Sequence, residues 1–152
     1  MSGKQTAAAP NLKTHYFSYY NKTFFIDIDH EHREKGYLLN LHDGDFDERS
    51  DLIAEVVFAT TEDIHPRSHE AFIVNTEECR ADHLRGDGPI FALYETIEGL
   101  YEQRKAENRR FPEQERALIN TLRPRTFHMW DEEFERRAAG DDATFQYRWV
   151  LP

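Results

Sequence analysis

Apolar residues recur at every second position along much of the first half of the chain. Within residues 23–29, Phe24, Ile26 and Ile28 fall on one side of an extended backbone, and two aspartates and a phenylalanine fall on the other. A period of two is typical of a half-buried strand. Similar or wholly apolar runs predict further strands at residues 15–20, 37–41, 52–60 and 71–74.

Polar segments separate these predicted strands. A charged stretch that ends at Gly36 predicts the turn before the third strand. Residues 43–51 and 61–68 predict loops, and Pro66 argues against regular structure in the second of them.

The apolar pattern changes to the period of a helix after Asn75. It predicts one or two helical turns at residues 76–84, then longer helices at residues 89–107, 112–123 and 126–139. Pro124 separates the last two helices, because proline lacks a backbone donor and collides with the preceding turn. Gly140 is the expected C-terminal cap. Gly99, inside the first long helix, indicates either close packing or a local weakness of about 1 kcal/mol relative to alanine.

Strand-like alternation returns at residues 144–151, and we expect this segment to join the N-terminal sheet. Strands followed by helices predict an α+β fold. The expected architecture is a mostly antiparallel sheet from residues 15–75 plus a C-terminal strand near 144–151, packed against two or three helices from residues 89–139. The length of 152 residues fits a single domain at residues 13–152, after a flexible leader at residues 1–12.

Charge and cysteine content narrow the function classes. The formal net charge is −10, from 29 acidic and 19 basic residues, which disfavours nucleic acid and anionic membranes and favours a protein partner with a basic surface. The charge also has a simpler interpretation, which is that it keeps the protein soluble. No apolar run approaches the ~20 residues of a membrane span. A single cysteine, Cys79, forms no internal disulfide, so we expect a cytoplasmic protein.

Eight histidines prompt a test for metal binding. His30 and His32 would share one face of a strand, and His65 and His69 have the spacing of a helical zinc pair. However, Pro66 favours a loop, and the glutamate follows the second histidine, so the metalloprotease motif is absent. The acidic stretch from Asp43 lacks the glycine and glutamate positions of a calcium loop. We therefore predict no metal and no cofactor, with these four histidines as the only candidates.

No motif identifies a reaction. Cys79 is the only thiol, and no serine-nucleophile elbow or phosphate-binding glycine loop accompanies it. Catalytic residues cannot be named, and a non-enzyme is favoured over an enzyme. The alternative is a small-ligand-binding or metal-dependent enzyme domain with a pocket between sheet and helices.

Aromatic residues cluster near both ends of the chain, and the strand at residues 15–20 has them on both sides. One interpretation is that the helices at residues 89–107 and 112–139 cover the aromatic face as ordinary core. The other is that two aromatic faces cannot both be covered, so that one remains as a binding surface with an acidic rim. The candidate binding residues are Tyr16, Tyr20, Phe25 and Trp149. The leading hypothesis is a non-catalytic protein-interaction module, such as an adaptor, chaperone, inhibitor or accessory subunit. An inhibitor that mimics the charge of DNA is one form of it.

Overall fold

The computed structural model describes residues 13–150, and the predicted leader lies outside them. An antiparallel sheet of five strands has the order β4-β3-β2-β1-β5. Its strands are β1 (Thr14–Tyr19), β2 (Lys22–Ile28), β3 (Glu34–Leu39), β4 (Phe46–Glu48) and β5 (Ile64–Arg67). Four helices and a separate two-stranded sheet complete the described part, so the predicted α+β class is confirmed.

One face of the large sheet packs against α2 (His69–His83) and α4 (Glu113–Ala138). The buried side chains of this face are Tyr16, Phe25, Tyr37, Leu39 and Phe46. They meet Phe72 and Ile73 from α2 and Phe127 from α4. This layer is the main core, as the apolar positions of alternating strands require.

The opposite face of the sheet has a smaller cover. Phe24, Ile26 and Leu38 pack against Val56 of α1 (Ile53–Val57), which follows a short 3-10 turn. Because α1 has only five residues, Phe17 and Tyr19 at the end of this face are only half buried.

Two predicted strands are helical in the structure, so those predictions were wrong. Residues 52–60 contain α1, and residues 71–74 belong to α2, which also includes all but the last residue of the turns predicted at 76–84. A short apolar run has no periodicity that separates a strand from a buried helix. The missed signal was Ser68, whose hydroxyl oxygen accepts a hydrogen bond from the amide of Ala71 and caps α2.

Two of the predicted polar segments contain strands. β4 lies within residues 43–51, and β5 lies within residues 61–68. Because β5 is at the edge of the sheet, the sheet does not require a backbone N–H from Pro66. Gly36 was expected in a turn but lies inside β3. A Cβ at Gly36 would stand 2.5 Å from the ring of Phe24, so the strand requires glycine for close packing.

Pro124 does not end a helix, and the two helices predicted on either side of it are one, α4. Asn120 and Pro124 are both exposed, so water can bond the carbonyl that the proline leaves without a donor. Packing of Leu122 and Phe127 on either side of the proline holds the helix together. Gly140 follows α4 with φ of 87°, as the capping prediction requires.

The C-terminal strand does not join the large sheet, which corrects a further prediction. β7 (Tyr147–Trp149) pairs antiparallel with β6 (Leu84–Gly86), which directly follows α2. A Cβ on Gly86 would collide with the backbone of β7, so glycine permits this close pairing. The ribbon formed by β6 and β7 lies beside α3 (Pro89–Ala106), whose Phe91 contacts Phe145.

Candidate functional site

The four candidate binding residues separate into two pairs. Tyr16 and Phe25 are buried and their rings contact that of Phe72, so their side chains form part of the core. The aromatic face predicted from them is the one that the helices cover. Tyr20 is 54% exposed in the turn after β1, and Trp149 is 39% exposed and stacks on His42 at 4.2 Å.

The candidate histidines do not converge. His30 and His32 are exposed in the turn between β2 and β3. His65 lies on β5, where its Nδ1 is 3.0 Å from the carbonyl oxygen of Glu62, and His69 begins α2 against the ring of Tyr16. Within residues 13–150, no group of three histidine, cysteine or acidic side chains could hold a metal ion.

Cys79 has the environment of a structural thiol. Burial, followed by the charges of Asp82 and Glu78, raises its pKa to about 11. Its Sγ is 3.3 Å from the carbonyl oxygen of Asn21 and donates to it. A nucleophilic cysteine needs the opposite shift, toward the thiolate at neutral pH.

A concave feature lies between α3 and the β6–β7 ribbon, and we call it the Arg123 cleft. Its volume is about 610 Å³, within the range of ligand-binding sites. Its floor includes the buried side chains of Phe91, Tyr94, Ile97 and Arg123.

Arg123 is the unusual member of this floor. It lies on α4 and is only 7% exposed, and its Nη1 is buried with no hydrogen-bond partner in the described part of the chain. Within residues 13–150, no ion pair joins its guanidinium to a carboxylate. A buried charge ordinarily has a counter-charge, because removal from water is unfavourable by several kcal/mol. The floor of the cleft therefore holds a cation to which residues 13–150 supply no counter-charge.

Pairs of acids and of arginines line two sides of the cleft, and the acids Asp82 and Asp87 line it as well. Glu95 and Glu98 stand exposed on α3, three residues apart and therefore on one helical face. Arg85 and Arg148 stand exposed on the ribbon, where the register pairs them directly across the two strands. The Nη1 of Arg85 also donates to the carbonyl oxygens of Ala81 and Leu84. Like charges in directly opposed positions destabilise a sheet. An anion bound beside the ribbon would relieve that repulsion.

A buried polar network supports the floor. Arg80 is 1% exposed and forms an ion pair of 2.8 Å with Glu77, one helical turn earlier on α2. The hydroxyl of Tyr94 donates to Glu77 at 2.7 Å and accepts from the indole nitrogen of Trp130 at 2.8 Å. Burial, and then the charge of Glu77, raise the pKa of Tyr94 well above its ordinary value, so it remains a donor. This network fixes Tyr94 in the cleft floor.

Arg80 also connects the layers of the fold. Its Nε donates to the carbonyl oxygen of Gly44 at 2.8 Å, which ties α2 to the loop after β3. Its guanidinium lies 5.3–5.7 Å from the ring centroids of Phe46, Phe127, Trp130 and Phe134. Cation–π attraction of this kind strengthens when the cation is desolvated.

A second polar cluster anchors the segment that leads into β7. Arg137 donates to Glu133 and to the carbonyl oxygen of Phe145, each at 2.6 Å. The amide and hydroxyl of Thr144 also donate to Glu133. Burial acts to raise the pKa of Glu133, but these hydrogen bonds outweigh it and the pKa falls below its ordinary value. The ribbon wall of the cleft is thereby held to α4.

The sequence reasoning missed Arg123 because it ended a helix at Pro124. In the intact α4, Arg123 lies four residues after Ile119 and four before Phe127, in the middle of an apolar stripe. A charge at such a position is the signal that an uninterrupted helix would have revealed. Glu77 and Arg80 were missed because α2 was assigned only as a short helical piece.

Comparison of the chain with protein-family models, curated proteins and solved structures yields no match. None of the helices within residues 13–150 combines the length and apolar character that crossing a bilayer requires.

Proposed function

We propose that this chain is a protein-interaction module whose docking site is the Arg123 cleft. An acidic group on a segment of the partner protein enters the cleft and pairs with the guanidinium of Arg123. The observation that carries the proposal is the burial of this cation without a counter-charge from the described residues. A carboxylate supplies the hydrogen bonds and the charge that an arginine in such a position lacks.

A protein segment suits the cleft because the site mixes polar and apolar groups around an open mouth. Tyr101 at the rim and Trp149 on the ribbon are exposed aromatics, a residue type enriched at protein interfaces. The acids of α3 and the net charge of −10 support a partner with a basic surface around the acidic anchor. The proposed location is the cytoplasm, because Cys79 is a free thiol.

Selection from a random peptide library displayed on phage tests this function. The immobilised proteins are the wild type, Arg123→Met and Arg125→Gln. Arg125 is the matched control because it lies on the same helix, is exposed and does not line the cleft.

We expect enriched peptides to share an aspartate or glutamate and to bind the wild type and Arg125→Gln alike. Their binding to Arg123→Met should fall at least tenfold, since a charge-assisted bond to a buried group is worth about 1.5–3 kcal/mol. Failure to enrich any peptide, or equal binding to Arg123→Met, would contradict the proposal.

A second surface, around Phe58, supports protein interaction at a different place on the fold. Phe58 is 80% exposed directly after α1, and Val57 beside it is also exposed. Glu55, one helical turn before Phe58, accepts a hydrogen bond from Tyr19 and gives this patch an acidic neighbour. Selected peptides that bind Arg123→Met normally but lose binding to Phe58→Asp would assign the interaction to this patch.

A further inference from the structure

We infer that the partner segment binds in an extended conformation with acidic and basic side chains in alternation. This inference rests on the proposed function and adds the chemistry of the bound segment. It follows from the pair of acids on α3 and the pair of arginines on the ribbon, which line the same cleft.

The two charges on each wall are about 1–2 Å closer together than same-side residues of a strand, a difference that long charged side chains can span. Successive side chains of an extended segment point to opposite sides, and residues two apart lie about 6.6–6.8 Å from each other. Glu95 and Glu98 present two acids about 5–6 Å apart on the helical wall. Arg85 and Arg148 present two cations about 4.5–5.5 Å apart on the ribbon.

A segment lying between these walls can satisfy both at once. Its basic side chains face Glu95 and Glu98, and its acidic side chains face Arg85 and Arg148, with one acid directed toward the floor. Segments of a single sign of charge would leave one wall in repulsion. The cleft therefore distinguishes ligands by the order of their charges along the chain as well as by the number of charges.

Two peptides of identical composition isolate this effect. Both are acetylated, amidated heptapeptides of four aspartates and three lysines; one alternates them and the other has all aspartates before all lysines. A third peptide alternates asparagine with lysine. Titrations followed by amide chemical shifts give the affinities at low salt, and far-UV circular dichroism confirms that each protein variant is folded.

The alternating peptide should bind the wild type about fivefold or more tightly than the block peptide, since each exposed ion pair contributes little and several act together. The preference for the alternating peptide should fall in the double variant Glu95→Gln/Glu98→Gln and in the double variant Arg85→Gln/Arg148→Gln. It should persist in Glu102→Gln, because Glu102 is exposed on α3 but does not line the cleft.

Equal affinity of the alternating and block peptides would overturn the inference, as would tighter binding of the block peptide. If both aspartate peptides bind equally and the asparagine peptide does not, the inference fails while the anchoring of an acid survives. If the asparagine peptide binds as well as the alternating one, the proposed function fails too.

Discussion

Substitutions of two buried arginines test whether Arg123 lacks a counter-charge in the fold. Arg80 and Arg123 are both almost fully buried on helices, but Arg80 has the carboxylate of Glu77 and Arg123 has no ion-pair partner among the described residues. Substitution of each by methionine keeps an unbranched apolar side chain and removes the charge. We expect the two substitutions to change the free energy of unfolding in opposite directions.

The magnitudes follow from the contacts. Arg80→Met leaves Glu77 as an uncompensated buried charge, which destabilises by about 3–5 kcal/mol. It also removes the hydrogen bond to Gly44 and the cation–π contacts. Arg123→Met removes a buried charge and leaves no carboxylate of residues 13–150 without its ion-pair partner, so a gain of about 1–3 kcal/mol is expected.

Urea unfolding at pH 7, followed by far-UV circular dichroism, measures both changes, and thermal unfolding checks them. At about 2–4 °C per kcal/mol, Arg80→Met should lower the melting temperature by roughly 10 °C and Arg123→Met should raise it by a few degrees. The double variant Glu77→Leu with Arg80→Met should recover part of the loss, because it removes both charges together.

One result would refute the reasoning about the cleft. If Arg123→Met destabilises as strongly as Arg80→Met, Arg123 contributes to the folded state through interactions of its own. Arg123 would then be a structural residue and not a binding residue for an anionic group. Arg125→Gln, at an exposed position of the same helix, should leave the unfolding midpoint close to that of the wild type.

The remaining predictions concern the ribbon, helix α3, the thiol and the response to acid. Gly86→Ala should destabilise the fold by about 1–3 kcal/mol, since the new Cβ would meet the ring of Phe91 at 2.8 Å. Gly99→Ala should stabilise the fold by about 1 kcal/mol, since no described atom lies within 4 Å of a Cβ placed there. Thermal unfolding of the two variants measures both changes. Cys79 should react with iodoacetamide at pH 8 at least roughly twentyfold more slowly than in urea-unfolded chain, because its pKa is raised to about 11; equal rates would contradict this. Glu133→Gln should be most destabilising near neutral pH. Because the pKa of Glu133 is lowered in the fold, the difference from wild type should shrink as pH falls through that pKa, and a difference that grows in acid would contradict the assignment.

Local pattern determined the elements with long or regular signals. The alternation in β2 and the helical stripe of α3, with Pro89 at its start, place both elements correctly. The α+β class follows, because strand periods precede helical ones along most of the chain. These features depend on neighbouring residues only, so the sequence is sufficient for them.

Tertiary packing decided the rest. Residues 71–74 have β-branched and aromatic character but form part of α2, because its face with Phe72 and Ile73 covers the sheet. α4 continues through Pro124 because packing on both sides outweighs one lost hydrogen bond. Local propensity is weaker than the burial of a whole helical face, and only the fold shows which faces are buried.

The candidate site belongs almost entirely to tertiary structure. Arg123 comes from α4, Glu95 from α3, and Arg85 and Arg148 from strands that are 63 positions apart in chain numbering (148 minus 85). The sequence alone determined that acidic and aromatic residues abound, and it favoured a protein partner on that ground. Which charges share one cleft, and which cation is left without a counter-charge, is decided only when distant segments pack together, because electrostatic pairing depends on distance in space and not along the chain.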